Sequence, residues 1–326
     1  MKILVMGAAG MIGRKLIERL VQDGQLRGSA ISAIHGFDVV EASLDETGSI
    51  DVTVSAGDIA DAATVDALVA VQPDVIFHLA AIVSGEAESD FEKGYRVNLA
   101  GTQNLFNAVI ARSDYCPRVV YASSIAVFGA PFPEAIDDEF HLTPLTSYGT
   151  QKAIGELLLA DYTRKGHVDG IGLRLPTIVV RPGKPNLAAS GFFSNIIREP
   201  LSGQPAVLPV SEDVMHWMTS PRSAVGFFIH AAEIDSEKIG PRRNLTMPGL
   251  AITVGGMIAA LENVAGAKTA SLIEHKTDAT ISGIVANWPR NFVADRAESL
   301  GFAAENSFED IIRAHVDDEL DGQLPT

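Results

Sequence analysis

The stretch ILVMGAAGMIGRKL, residues 3–16, decides the fold. A short apolar run enters Gly7, Gly10 and Gly13 follow at intervals of three, and an apolar-periodic segment begins directly behind them. Strand, glycine turn and helix in that order open a βαβ unit. Glycine lets the chain turn tightly and brings backbone N–H groups and the positive end of a helix close to a pyrophosphate, where a side chain would obstruct the approach. A glycine-rich packing turn is the alternative. The strand before and the helix after favour nucleotide binding, with Gly7, Gly10 and Gly13 as contacts.

Working outward, the spacing predicts strands over 3–6, 31–37, 51–55, 74–78, 118–122 and 170–175. Helices are expected over 11–23, 61–71 and 91–112 and around Tyr148 and Lys152. Such alternation builds an α/β fold, a doubly wound parallel sheet. Beyond Pro176 the rhythm fails at RPGKPNLAASG, residues 181–191, and a smaller lobe is expected. A helix over 223–234 returns to the sheet, while TVGGMIAALENVAG and SFEDIIRAHVDDEL read as amphipathic helices of the smaller lobe. The expected division is 1–178 with 220–248 as the dinucleotide-binding domain, and 179–219 with 249–326 as a mixed α/β substrate lobe.

The 326 residues suffice for a sizeable core, and 47% apolar with 20% charged residues fits a compact globular chain. No apolar run reaches the roughly 18 residues of a membrane span. MKILVMG lacks the apolar core of a secretory signal, so the chain is expected to begin with a structural strand and to be cytoplasmic. The single cysteine, Cys116, excludes an internal disulfide and is expected to be a buried or partly buried thiol. With 25 basic and 41 acidic residues the formal charge is −16, which repels polyanions, so no nucleic-acid partner is expected. The eight histidines form no metal-ligand spacing, and no metal is expected.

Asp38 ends the second strand, 25 positions after Gly13, where a carboxylate accepts hydrogen bonds from an adenosine ribose and repels a 2′-phosphate. That favours NAD over NADP; an exposed loop acid is the alternative, and Arg14 beside the glycines weighs the other way. SYGTQKA, residues 147–153, sets Tyr148 and Lys152 one helical turn apart on one face. A tyrosine alone, with a pKa of about 10, is a poor base at neutral pH. A neighbouring ammonium stabilises the phenolate and makes it a proton acceptor for an alcohol. Upstream, VVYASSIAVFG ends a strand with Ser123 and Ser124, and a serine hydroxyl there can hold a substrate oxygen. A surface ion pair and a turn dipeptide are the plain readings of the two motifs; together, behind a dinucleotide turn, they point to catalysis.

These residues, with GDIAD at 57–61, HLAA at 78–81, VNLAGTQNL at 97–105, ASSIAVFG at 122–129 and YGTQK at 148–152, resemble the extended short-chain dehydrogenase/reductase family, which includes nucleotide-sugar epimerases and dehydratases. The resemblance covers roughly the first 180 residues in order and implies a Rossmann-type fold. It implies that Met11 and Ile12 lie at the pyrophosphate turn and that Asp58 and Ile59 flank the adenine. Leu79, Ala80, Ala81 and Asn98 lie along the cofactor, and Pro176 abuts the nicotinamide. Ser124 orients the substrate, Tyr148 is the acid/base, and Lys152 holds the ribose and tunes Tyr148. A homodimer through helices 91–112 and 147–165 is also implied. AAIVSGEAESDF, RLPTIVVRPGKPNLAASGFFSNIIREPL and NWPRNFVADRAESLGF are similar to the D-erythronate dehydrogenase branch, which implies NAD-linked oxidation of the C2 hydroxyl of a four-carbon sugar acid. Met6 and Phe128 replace the threonine and tyrosine common in the family.

An anionic sugar acid needs a local cation or donors in so acidic a chain. Candidates are Arg181, Arg198 and Arg222, with Ser84, Ser190 and Asn195 as neutral donors; for each arginine, a surface or ion-pair role is the plainer reading. His216 and Trp217 are either cleft-lining or simply packed. Dehydratases of the family carry Asp-Glu after the position of Ser124, where this chain has Ile125 and Ala126, so elimination is not expected. A nucleotide-sugar epimerase uses the same three residues and remains the second reading. An NAD-sensing protein without catalysis has no use for Tyr148 and Lys152.

Overall fold

In the computed structural model, which describes residues 1–42, 50–183 and 190–324, the chain divides into two compact units. The first comprises Met1–Val127, Pro144–Leu175 and Val225–Thr246. Its framework runs β1 (Lys2–Met6), α1 (Met11–Asp23), β2 (Ala33–Asp38), β3 (Asp51–Ala56), α2 (Ala62–Ala70) and β4 (Val75–His78). It continues with α3 (Gly101–Ile110), β5 (Arg118–Ser124), α4 (Ser147–Arg164), β6 (Asp169–Leu175), α5 (Pro221–Glu233) from Val225 onward, and β7 (Asn244–Thr246). The seven strands form one parallel sheet in the order β7-β6-β5-β4-β1-β2-β3. From β1 the chain winds outward first through β2 and β3, then in the other direction through β4 to β7, so the switch of direction falls between β1 and β4. In open α/β sheets ligands bind beyond the strand ends at that switch.

Helices on both faces explain why the strands read as nearly unbroken apolar runs. Leu4, Met6, Ile76, Val119 and Tyr121 line one face of β1, β4 and β5 and pack on Val65, Val69, Leu105, Phe106, Val109 and Leu159 of α2, α3 and α4. The helix expected over 91–112 is helical in three pieces: Phe91–Gly94, a π-helical turn at Tyr95–Ala100, and α3. A π turn accommodates one extra residue, and here it accompanies an inward-facing Asn98, buried against the loop after β4. Cys116 is exposed in the turn before β5, not buried as expected.

The second unit comprises Phe128–Thr143, Pro176–Ala224 and Met247–Thr326. Residues 128–143, expected in the first domain, belong here. Ile136 bridges Phe292, the ring of Phe128 lies 5.7 Å from that of Phe292, and the Arg296 N–H donates to Asp138. A three-stranded sheet (Thr177–Ile178, Met215–Thr219, Leu250–Thr253) and a parallel pair (Ala206–Leu208, Ile273–His275) accompany helices Gly191–Leu201, Val254–Ala265 and Phe308–Glu319. Phe193, Ile196, Met218, Met257, Leu261, Ile311 and Ile312 form the core. Glu305 accepts hydrogen bonds from the hydroxyls of Thr219, Ser220 and Ser223.

At the N-terminal edge of the sheet, Arg118 is wholly buried and donates to Asp169 at 2.8 Å, to Ser236 Oγ, and to the carbonyls of Ala231 and Ile234 at the end of α5. Burial works against the Asp169 carboxylate, but the Ser236 hydroxyl and Arg118 outweigh it and hold its pKa below the ordinary value. Its stabilising contribution is therefore complete above about pH 4 and declines as pH falls through the depressed pKa. Asp169→Asn leaves a buried guanidinium without its counter-charge. It should cost about 3 kcal/mol, seen in urea unfolding at pH 7 as a lower midpoint, with the gap to the unsubstituted protein narrowing below pH 4.

Candidate active site

The glycine turn lies where β1 meets β4. Gly7 has φ +97°, and a Cβ there would stand 2.8 Å from Ala80 N and 2.9 Å from Leu79 C, so the two strand ends approach with no room for a side chain. A Cβ on Gly13 would fall 2.1 Å from the Gly7 carbonyl oxygen. Gly10 precedes α1 without a side-chain cap, leaving Met11, Ile12 and Gly13 as the first helical residues, whose N–H groups have no partner inside the helix. This bare, close-packed helix start fits a pyrophosphate. The Asp38 carboxylate closes the turn from the side, accepting the N–H groups of Ala9 at 2.9 Å and Val39 at 2.6 Å. Arg14 points outward from α1 and is exposed.

Of the other residues expected along the cofactor, all but Pro176 lie in the same unit. Asp58 pairs with Arg96 and accepts the Ala60 N–H at 2.9 Å. The hydrogen bond from Arg96 is the main reason its carboxyl is held below the usual range. Ile59 is buried, and a Cβ on Gly101 would stand 2.8 Å from its side chain. Leu79, Ala80 and Ala81 follow β4 half-buried, with the Leu79 N–H donating to Met6 O at 2.8 Å. The Asn98 amide clamps the backbone of Ile82 from both sides, accepting its N–H at 2.9 Å and donating to its carbonyl at 3.1 Å. It also donates to Gln151 Oε1 at 2.8 Å.

Two interior glycines bring α4 onto β5. A Cβ on Gly149 would stand 2.1 Å from Ala126 O, and one on Gly155 would stand 2.3 Å from the Tyr121 hydroxyl. Thr146 caps the helix by accepting the Gly149 N–H at 3.1 Å. Tyr148 is half-buried and Lys152 is 2% exposed, with Lys152 Nζ 5.7 Å from the centre of the Tyr148 ring and donating to Ala122 O at 2.7 Å. Burial lowers the Lys152 pKa to about 7, against the opposing pull of Glu156. Glu156 is itself buried and neutralised by Arg174 at 2.8 Å, and it accepts the Ser123 hydroxyl at 2.5 Å. Ser124 ends β5, and its Oγ accepts the Ala126 N–H at 3.1 Å, leaving its O–H to donate.

The sequence-named substrate residues fall in different places. Ser84 is exposed at the start of the short helix Ser84–Ser89 in the first unit. Pro176, expected beside the nicotinamide, is buried in the second unit, where four of the substrate candidates form one network. Arg181 donates to Ser190 Oγ at 3.2 Å and to Ile178 O. Arg198 donates to Arg181 O at 2.7 Å, to Asn195 Oδ1 at 2.8 Å and to Glu199 at 2.6 Å. Arg222 is apart from this network, paired with Asp318 at 2.6 Å and Asp317 at 3.6 Å. His216 is buried between Thr177 Oγ1 and Pro289 O and stacked on Phe193, which lowers its pKa to about 4 through burial. Trp217 is packed, with its indole N–H on Met247 O. Residues 184–189 of the loop following Arg181 lie outside the described residues.

Sequence reasoning missed Gln151, His78, Tyr121 and the Glu156–Arg174 pair. The signal for the first was its position on the inner side of the helix between Tyr148 and Lys152. The signal for Tyr121 was Gly155, an interior helix glycine with no turn to make.

Three comparisons bear on this arrangement. Residues 3–219 match the model of the NAD dependent epimerase/dehydratase family. The chain is 44% identical to a D-erythronate dehydrogenase of Cupriavidus necator over 98% of each chain, and 38% identical to one of Haemophilus influenzae over 98% of this chain and all of the other. A crystal structure described as a nucleoside-diphosphate-sugar epimerase from Agrobacterium tumefaciens is 59% identical, covers 100% of this chain and 96% of its own, and superposes with a TM-score of 0.98. With the glycine turn, the Ser124 strand end and the Tyr148–Lys152 helix all inside the matched span, the chain belongs to the NAD dependent epimerase/dehydratase family.

Proposed function

We propose that this protein is an NAD-dependent dehydrogenase that oxidises the C2 hydroxyl of a four-carbon sugar acid, D-erythronate or a close relative, to the 2-oxo acid. The observation that carries the reading is the buried Lys152 ammonium beside the Tyr148 ring, in the unit whose glycine turn accepts a pyrophosphate. The two D-erythronate dehydrogenases, similar over nearly their whole length, support the substrate class. Asp38 at the end of β2 supports NAD over its 2′-phosphorylated form, because a carboxylate there repels a phosphate.

NAD would be held by the turn at Gly7, Gly10, Met11, Ile12 and Gly13 and would supply the hydride acceptor. The chain's own work is proton transfer and positioning. Tyr148 accepts the hydroxyl proton at its phenolic oxygen, and the Ser124 O–H donates to the same substrate oxygen as it becomes a carbonyl. Lys152 lowers the cost of the phenolate. Burial, against the opposing pull of Glu156, brings its pKa to about 7, and a negative charge forming beside it favours its cationic form.

The 59%-identical structure described as a nucleotide-sugar epimerase favours a second reading, in which the same residues remove and return a hydride with no net change in NAD. Exposed Phe91, its ring 4.6 Å from that of Tyr95, and exposed Leu157 on α4 support a homodimer through these helices, which light scattering at micromolar concentration tests by a mass near twice that of one chain.

Purified protein given NAD and a panel of C4 to C6 aldonic acids should generate NADH, read at 340 nm, with the C4 acids preferred. Turnover of UDP-sugars alone would overturn the sugar-acid reading. Tyr148→Phe should lower kcat by about a hundredfold or more while NAD affinity, read by calorimetry, stays within a few-fold. Lys152 has a folded pKa far below the ordinary lysine value of about 10.4, so the folded state bears the cost of its buried charge below about pH 7, and that cost fades towards pH 10. Lys152→Met should therefore abolish activity yet raise the melting temperature, by more at pH 6 than at pH 9.

A further inference from the structure

Lys152 lies between two aromatic rings, and only one belongs to the reacting residue. Its Nζ is 5.0 Å from the centre of the Tyr121 ring, nearer than the 5.7 Å to Tyr148. Tyr121 comes from β5, is 1% exposed, and is wedged at its far end against α4: its hydroxyl occupies the space that a Cβ on Gly155 would need. Among the described residues that hydroxyl has no hydrogen-bond partner, so it is not kept for a bond to protein. The His78 ring lies tilted against it, 5.4 Å away between centroids. His78 Nε2 faces Thr102 Oγ1, whose own proton goes to Asn98 O, so Nε2 carries the imidazole's hydrogen and Nδ1 stays bare. His78 is neutral, its pKa driven down to about 3 by burial and by Lys152.

The groups facing the ammonium can therefore be named by element. From its own helix come Tyr148 and Glu156, the latter neutralised by Arg174 of β6; from β5 come Tyr121 and the Ala122 carbonyl; from β4 comes neutral His78. Among these, the Ala122 carbonyl accepts the ammonium's hydrogen bond, and of the two rings over which Nζ lies the Tyr121 ring is the nearer. A ring face within about 6 Å of a desolvated ammonium attracts it through its quadrupole.

We propose that Tyr121 is a positioning residue whose ring face keeps Lys152 cationic and aimed at Tyr148. This deepens the reading of Tyr148 as base and rests on it for its effect on the rate, though not for its effect on Lys152. The hydroxyl acts only as a spacer against Gly155; the electron-rich face carries the role.

The test reads Lys152 directly. In full-length protein carrying lysine labelled with 13C at Cε, the Lys152 resonance is assigned by its loss in Lys152→Met and titrated by NMR. Tyr121→Phe, which keeps the ring, should titrate as the unsubstituted protein does. Tyr121→Leu should lower the Lys152 midpoint by about half to one pH unit. Pentafluorophenylalanine at position 121 has nearly the ring's shape with the quadrupole reversed; it should lower the midpoint at least as far and keeps the test alive if the leucine variant does not fold. Unchanged midpoints in these two, or an equal fall in Tyr121→Phe, would overturn the proposal. In kcat/KM for NADH formation, the acidic limb should move to higher pH in the leucine and fluorinated variants and not in Tyr121→Phe. A fall in the Lys152 midpoint with an unmoved rate profile would leave the platform standing and remove Tyr148 as the base.

Discussion

The contact between α4 and β5 is the constraint on which the rest depends. Two glycines, Gly149 and Gly155, remove every side-chain atom from the places where the helix meets the Ala126 carbonyl and the Tyr121 hydroxyl. Interior helix glycines cost about 1 kcal/mol each relative to alanine. Here that cost is offset by a helix that sits closely enough on the strand for Lys152 to reach the Ala122 carbonyl.

Around that contact the unit separates charge from charge. The Glu156–Arg174 pair answers its own carboxylate within the core, so Lys152 is not captured by an acid one turn away. His78 is kept neutral by burial. Gln151 stands between Tyr148 and Lys152 and binds Asn98, whose amide fixes Ile82 in the loop after β4. The backbone after β4 is thereby coupled to the helix that carries Tyr148. The same logic holds at the opposite end of the sheet, where buried Arg118 ties β5 and β6 to the end of α5.

Much of this was legible in the residue order. The glycine spacing, the apolar runs and the four-residue interval from Tyr148 to Lys152 are local features, and the observed β1 and α1 follow them closely. The extent of the first unit was less legible. Residues 128–143 carry no periodicity, and their membership in the second unit is decided by Phe292 and Arg296, more than 150 residues onward. The arginine candidates were equally opaque. Arg198 and Arg222 look alike in the sequence, yet one is buried in a network with Arg181 and Asn195 and the other is engaged with Asp318.

The sequence by itself determined what short-range geometry dictates: a strand, a tight turn and a helix, a phenol and an amine one turn apart, and a carboxylate at a strand end. Tertiary structure alone decided which charges lose their water, because desolvation depends on what other segments cover. Lys152 becomes a lysine of pKa about 7 only where β4, β5 and α4 close over it, and no count of residues along the chain records that enclosure.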